Sequence, residues 1–349
     1  MNLKVHYFIE KWQAKIYFLC SIFVSKITNI GKKPKNDYKR ILIIKIDEIG
    51  DMITALPSFK LLRESYPNAE ITLFCKKLVS NVVKNDHCID IVATAKKQLK
   101  GKYDLIIDLR SNWSMLSYVV FHPPKYFLER GKVRMKNKLA GKQKHEVEAN
   151  IQIMEEVLVL NGFEPQLRLD LAKEDKDFAV QWIDEMGLKN FVVLHAGARR
   201  PLKQWLPQNF VYLANVLHQK GFEVVFGGGP EDVAVNELIS SKLLFSTVNL
   251  AGKCTLMQFA AITAHAKLFV GNDSGPMHLA AAVNIPVLGL FGPSVTETFR
   301  PYHSKGRYLH YKLDCNPCDQ IHCVRPHDIC INRITVKEVE LMVDELLAI

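Results

Sequence analysis

The stretch GNDSGPMHLAAAV, residues 271–283, sets Asp273, Ser274 and His278 in a turn between apolar runs. Gly275 lets backbone approach a ligand, Pro276 suits the first turn of a helix, and the free N–H groups of that turn favour a phosphate. Asp273 and Ser274 would serve equally as plain helix caps. KIDEIGDMI, residues 45–53, puts Gly50 and Asp51 just beyond an apolar strand. An Asp there is a general base or, more readily on position alone, a cap. HAGARRPLKQW, residues 195–205, gathers Arg199, Arg200 and Lys203 into one loop. Such loop cations are often only solvated, but in one cleft with the anion turn they would neutralise a phosphoryl leaving group. GGGPED, residues 227–232, lacks G-x-G-x-x-G spacing, as does the loop after the first strand, which disfavours a dinucleotide-binding dehydrogenase. CNPCDQIHCVRPHDIC, residues 315–330, opens with a Cys-x-x-Cys pair of zinc-ligand spacing and continues irregularly. Cys315, Cys318, Cys323 and Cys330 are therefore either ligands of a structural zinc or reduced thiols packing a loop.

These residues need elements to hold them. RILIIKI at 40–46 is a continuous apolar run of the kind found in buried parallel strands, and EITLFC and YDLIIDLR follow with helical or mixed stretches between them. MITALPSFKLLRESYP has helical periodicity, but Pro57 inside it predicts a kink or a late start. The basic GKVRMKNKLAGKQKHEVE has little apolar periodicity before ANIQIMEEVLVLNGF, which reads as helix. After a polar linker near residue 170 the alternation restarts. FVVLHAG and FEVVFGGGP are strands around the helix PQNFVYLANVLHQKG, which Gly221 stops. TLMQFAAITAHA and TVKEVELMVDELL each open with a capping box. Two βαβ arrays imply an α/β protein of two doubly wound domains facing across a cleft, with ligands at the carboxyl ends of the strands.

The chain has 349 residues, room for two ordinary domains, and its net charge of +10 suggests a polyanionic partner. No zinc-finger spacing, RNA-binding aromatic signature or long Lys/Arg run favours nucleic acid. Cys20, Cys75, Cys88 and Cys254 are scattered and read as reduced thiols of a cytoplasmic protein. The N-terminal YFIEKWQAKIYFLCSIFVSKITNIGKKPK mixes apolar residues with Lys11, Lys15, Lys26, Lys32, Lys33 and Lys35, and its longest apolar run is too short to span a bilayer. It is a basic amphipathic segment, lying either in a membrane interface or on the protein's own surface.

ILIIKIDEIGDMITALPSFKLLRESYP, HAGARRPLKQW, GGGPED and GNDSGPMHLAAAVNIPVLGLFGPS, in that order, resemble family 9 glycosyltransferases, typified by lipopolysaccharide heptosyltransferases. The resemblance covers residues 40–349, includes the late cysteines, and leaves the first 36 or so outside. It implies a GT-B fold: a basic N-terminal extension at 1–36, a Rossmann-like acceptor domain at 37–170 and a Rossmann-like donor domain at 171–349, the last helix able to pack back on the first domain. It further implies inverting, metal-independent transfer from a nucleotide-sugar, with ADP-heptose a candidate, to a lipid-linked or surface-glycan acceptor. No cofactor would be needed. On matching positions Asp51 resembles the catalytic base and Lys203 the phosphate-binding lysine. Glu231 or Asp232 would hold the donor ribose and Asp273 the donor sugar. Ser274, Gly275, Pro276, Met277 and His278 would cradle the diphosphate, with Gly50 and Gly197 beside the donor. Arg199 and Arg200 stand where relatives often offer hydroxyls. A peripheral position on the inner face of the inner membrane would suit such an acceptor. A sugar-nucleotide 2-epimerase and a non-catalytic sugar-nucleotide-binding protein are the alternatives on the same fold.

Overall fold

The computed structural model describes residues 3–35, 37–160, 162–318 and 320–348, with side chains from Trp12 onward except Gln13 and Ala14. The chain divides into two compact units, Met1–Pro165 and Gln166–Ile349.

The first unit runs α1 (Leu3–Asn29), β1 (Arg40–Lys45), α2 (Ile49–Ile53), α3 (Leu56–Ser65), β2 (Glu70–Cys75), α4 (Ser80–Val83), β3 (Ile91–Ala93), β4 (Leu105–Arg110), α5 (Trp113–Phe121), β5 (Tyr126–Glu129), α6 (Arg130–Leu139) and α7 (Glu146–Met154). Its five strands are all parallel, in the order β3-β2-β1-β4-β5. Ile41, Leu42, Ile43 and Ile44 of β1 are fully buried, as a strand covered on both faces requires. The order reverses between β1 and β4, which makes the carboxyl ends of these two strands the place for a ligand. Pro57 does interrupt the helical pattern: α2 stops at Ile53 and α3 restarts with Pro57 in its first turn. The weakly periodic basic stretch nevertheless forms α6, because the Glu129 carboxylate accepts the N–H groups of Gly131 and Lys132 and caps it.

The N-terminal segment forms one long helix, α1, packed on this unit. It runs along β5, the sheet edge, and also touches α5 and α6. Asn29 pairs with the edge like a strand, Nδ2 donating to Phe127 O and Oδ1 accepting Phe127 N–H, both at 2.9 Å. Ser25 donates to the same carbonyl at 2.9 Å. The helix thus closes an edge that would otherwise leave backbone groups unpaired.

The second unit runs α8 (Lys173–Glu185), β6 (Phe191–His195), α9 (Pro207–Gln219), β7 (Glu223–Phe226), α10 (Val233–Ser240), β8 (Val248–Asn249), α11 (Leu256–Thr263), β9 (Leu268–Asn272), α12 (Gly275–Ala282), β10 (Val287–Phe291), α13 (Thr296–Phe299), β11 (Gly306–His310) and α14 (Val336–Leu347). The sheet is parallel throughout, ordered β11-β10-β9-β6-β7-β8. This is the doubly wound dinucleotide-fold order, and its switch point lies between β6 and β9. The closing helix α14 packs on α9, β9 and β10, within the second unit, burying Val339, Val343 and Leu346.

Candidate active site

In the first unit the chain leaves β1 through a dense group of buried charges. Lys45 is fully buried at the strand end, with Nζ 2.8 Å from Asp47 Oδ2 and 3.7 Å from Glu146 Oε1. Arg110, closing β4, reaches Asp47 Oδ1 at 3.2 Å, and buried Arg130 holds Glu146 at 2.6 Å while donating to Leu109 O at 3.2 Å. The ends of β1, β4 and β5 and the start of α7 therefore converge at the switch point. Every one of these charges has an opposite partner, as burial demands.

Asp51 stands among them, in the first turn of α2. It does not cap that helix: the N-cap position is Glu48, and no side-chain cap bond forms. Among the described residues no hydrogen bond to its carboxylate is formed. Burial, with the neighbouring charge of Asp47, pushes its carboxyl above the ordinary value, against the opposing charge of Lys45. A carboxylate raised in this way is a stronger base than an exposed one. Gly50, beside it, starts the turn whose carbonyl accepts Thr54 N–H at 3.0 Å.

In the second unit the loops after β6, β7 and β9 meet. Lys203 Nζ lies 2.7 Å from Asp273 Oδ2, an ion pair with a buried carboxylate and a partly exposed ammonium. His195 bridges two loops, its Nδ1 3.3 Å from Ser274 Oγ and its Nε2 3.4 Å from Asp232 Oδ2. Asp232 also accepts Gly229 N–H at 2.9 Å. Burial alone would raise the Asp232 carboxyl, but His195 and the Gly229 N–H outweigh it and hold it below the ordinary value. A Cβ at Gly197 would overlap the Asp232 carboxylate, and Gly228, at φ 141°, faces it too, so glycine is needed at both positions. Glu231, by contrast, is exposed and lies over Gly229.

The turn before α12 is not a capped turn of the ordinary kind. Ser274 occupies the N-cap position, yet its hydroxyl donates to Asn272 O at 3.1 Å instead of bonding the helix N–H groups. The leading amides of α12 are left without a side-chain cap. Met277 turns inward, fully buried with its sulfur beneath Gly289, and its N–H goes to Ser274 O at 3.2 Å. Its side chain therefore packs the core. His278 is buried as well.

Several residues that organise these two places were not picked out by motif. Asn272, fully buried, accepts Trp205 N–H at 3.0 Å and donates to Ala196 O at 2.8 Å and Gly197 O at 3.2 Å. It locks the Lys203 loop to the end of β9. Lys45, Asp47, Arg130 and Glu146 form the corresponding frame around Asp51. A lysine ending an otherwise apolar strand was the one signal in the sequence. The four late cysteines, none of them in a disulfide, line a single cavity of about 10 Å³ with Leu202, Pro293 and Asn316. Gln320 N–H and Arg325 N–H donate to the sulfurs of Cys318 and Cys323 at 3.3 and 3.4 Å. Among the described residues the one group of metal-type ligand atoms mutually within 4.8 Å is Asp86, His87 and Cys88.

The sequence profile of glycosyltransferase family 9 (heptosyltransferase) matches residues 92–328. The chain is 27% identical over 287 residues to lipopolysaccharide heptosyltransferase 3 of Escherichia coli, covering 72% of this chain and 83% of that protein. Its fold is similar to that of a family 9 glycosyltransferase from Veillonella parvula, with a TM-score of 0.79, 22% identity and coverage of 91% of this chain and 99% of that one. It is also similar to the E. coli ADP-heptose lipopolysaccharide heptosyltransferase II, with a TM-score of 0.70 and 22% identity over 88% of this chain and 98% of that one. Two Rossmann-like units, each with its charged residues at the sheet's switch point, are the GT-B architecture, and the chain belongs to glycosyltransferase family 9, the heptosyltransferase family.

Proposed function

We propose that the chain transfers heptose from ADP-heptose to the saccharide core of a lipopolysaccharide-type acceptor, inverting the anomeric centre and using no metal. The observation that carries the reading is Asp51: a carboxylate that caps nothing, accepts no hydrogen bond among the described residues and is raised in basicity by burial beside Asp47. Asp47 and Glu146 are tied to Lys45, Arg110 and Arg130, which leaves Asp51 to take the proton from an acceptor hydroxyl. One base and a single displacement give inversion.

The second unit supplies the donor half. Lys203 and the uncapped amides of α12 would stabilise the departing diphosphate, supplying the positive charge that a cation would otherwise bring. Asp273, held in place by Lys203, would face the donor sugar. Glu231 is the better candidate for the ribose, because Asp232 is committed to His195 and Gly229 N–H while Glu231 is exposed. The names of the matched relatives support heptose and a lipopolysaccharide acceptor.

The test is a calorimetric titration with ADP-heptose and with UDP- and GDP-hexoses, on the wild type and on Lys203→Ala. The reading predicts preferential binding of ADP-heptose that weakens at least tenfold in the variant. Equal binding of all donors, or binding indifferent to Lys203, would overturn the donor assignment.

A further inference from the structure

Helix α1 wears its amphipathic pattern inside out. Its polar residues Tyr17, Ser21, Ser25 and Asn29 recur at intervals of four and face the first unit. Ser25 and Asn29 bond to the β5 edge, Ser21 Oγ donates to Glu129 at 3.4 Å, and the Tyr17 hydroxyl donates to Asp108 at 2.8 Å. The opposite face carries Trp12, Ile16, Leu19, Phe23 and Ile27, which are between 47% and 63% exposed, and Ile30 in the turn that follows is 73% exposed. At about 100° per residue the five helical residues fall within an arc of roughly 80°. A surface helix ordinarily turns such a stripe inward. Here the protein has spent the polar side on docking and left the apolar side outward. A stripe of this size on a helix docked from Tyr17 to Asn29 calls for an apolar occupant.

We infer that the outward face of α1 is a membrane-binding surface, and that its occupant is the interface of an anionic phospholipid bilayer. Charge complementarity selects that partner. Lys15 and Lys26 flank the stripe on one side at helical spacing, with Lys15 Nζ 5.6 Å over the Trp12 ring. Such a pairing of ring and ammonium suits a depth where one end is apolar and the other wet. Beyond the helix, Lys32, Lys33 and Lys35 line an open groove of about 660 Å³ with Tyr38 and Lys102, large enough for a phospholipid headgroup. Among the described residues no helix is long and apolar enough to cross a membrane, so α1 would lie flat, basic residues toward the headgroups. The helix lies outside residues 92–328, which the family profile matches. The choice of a lipid surface over a second copy of the chain rests on the proposed reading, in which the acceptor is lipid-borne.

The test uses the full-length chain and vesicles of phosphatidylcholine alone or with phosphatidylglycerol, scored by co-sedimentation. The wild type is expected to sediment with the anionic vesicles and to be released by high salt. The triple variant Leu19→Gln, Phe23→Gln, Ile27→Gln, which alters exposed positions only, should sediment at least tenfold less while keeping its urea midpoint. Equal sedimentation of both proteins would overturn the inference. So would a wild type that stays in the supernatant, and a concentration-dependent dimer abolished by the triple variant would then assign the face to a second copy. ADP-heptose titrations on the same preparations separate the two claims. Donor binding without vesicle binding overturns only the membrane surface, and vesicle binding without donor binding overturns only the transferase reading.

Discussion

At the scale of single residues, the proposed chemistry depends on Asp51 being unoccupied by any structural task. Asp51→Asn keeps the volume and removes the base, so kcat should fall by a factor on the order of 10² to 10⁴ with little change in donor affinity. Because burial and Asp47 raise the Asp51 carboxyl, the acid limb of kcat/KM should lie above the ordinary carboxylate range, activity being lost as pH falls through that raised value. A limb at the pH of an exposed aspartate would speak against this environment. Lys203 has a double role, as partner of buried Asp273 and as proposed phosphate ligand. Lys203→Ala should therefore weaken donor binding and also destabilise the fold, by about 3 kcal/mol at most, because it leaves a buried charge uncompensated. A thermal midpoint identical to the wild type would show that the pair contributes nothing to stability.

At the scale of elements, the strands and the turn before α12 were legible because continuous apolar runs and Gly-Pro punctuation report local structure directly. The Pro57 break and the capping boxes of α11 and α14 follow from the same local chemistry. Helix α6 was not legible, since its start depends on Glu129 from a neighbouring strand and its sequence has no apolar stripe. The frame around Asp51 was equally hidden: Lys45, Arg130 and Glu146 come from three elements that only the sheet brings together. Helix α1 was legible as an amphipathic helix, but periodicity cannot say which face turns inward. Its docking can be tested by Asn29→Ala, which leaves Phe127 N–H without its partner and Phe127 O with Ser25 alone, and should cost about 1–2 kcal/mol in urea unfolding. Asp108, which receives the Tyr17 hydroxyl, has its carboxyl pushed up to about 6 by burial. A carboxyl raised in the folded state binds its proton more tightly there than in the unfolded chain. Folding stability should thus decrease as pH rises from about 4 to about 6, by about 3 kcal/mol from this group. Asp108→Asn should flatten that slope, and an unchanged slope in the variant would assign it to other groups.

At the scale of the whole molecule, the chain repeats one solution twice. Each unit winds parallel strands around a switch point and places its charged residues at the carboxyl ends of the strands flanking it. The first keeps a group of paired ions with Asp51, whose carboxylate accepts no hydrogen bond among the described residues, and the second keeps a lysine, a buried aspartate and a helix whose amides carry no side-chain cap. Both places carry charges of both signs: Lys45, Arg110 and Arg130 with Asp47, Asp51 and Glu146 in the first unit, and Lys203 with Asp273 and Asp232 in the second. Family membership fixes the architecture and the reaction class, while the base, the donor and the direction of stereochemistry rest on these two arrangements. The most direct test follows ADP release from ADP-heptose with and without a heptose-deficient lipopolysaccharide acceptor, for the wild type and Asp51→Asn. The account predicts release that requires the acceptor and is abolished in the variant. Release that proceeds equally without acceptor, or that survives in Asp51→Asn, would contradict it.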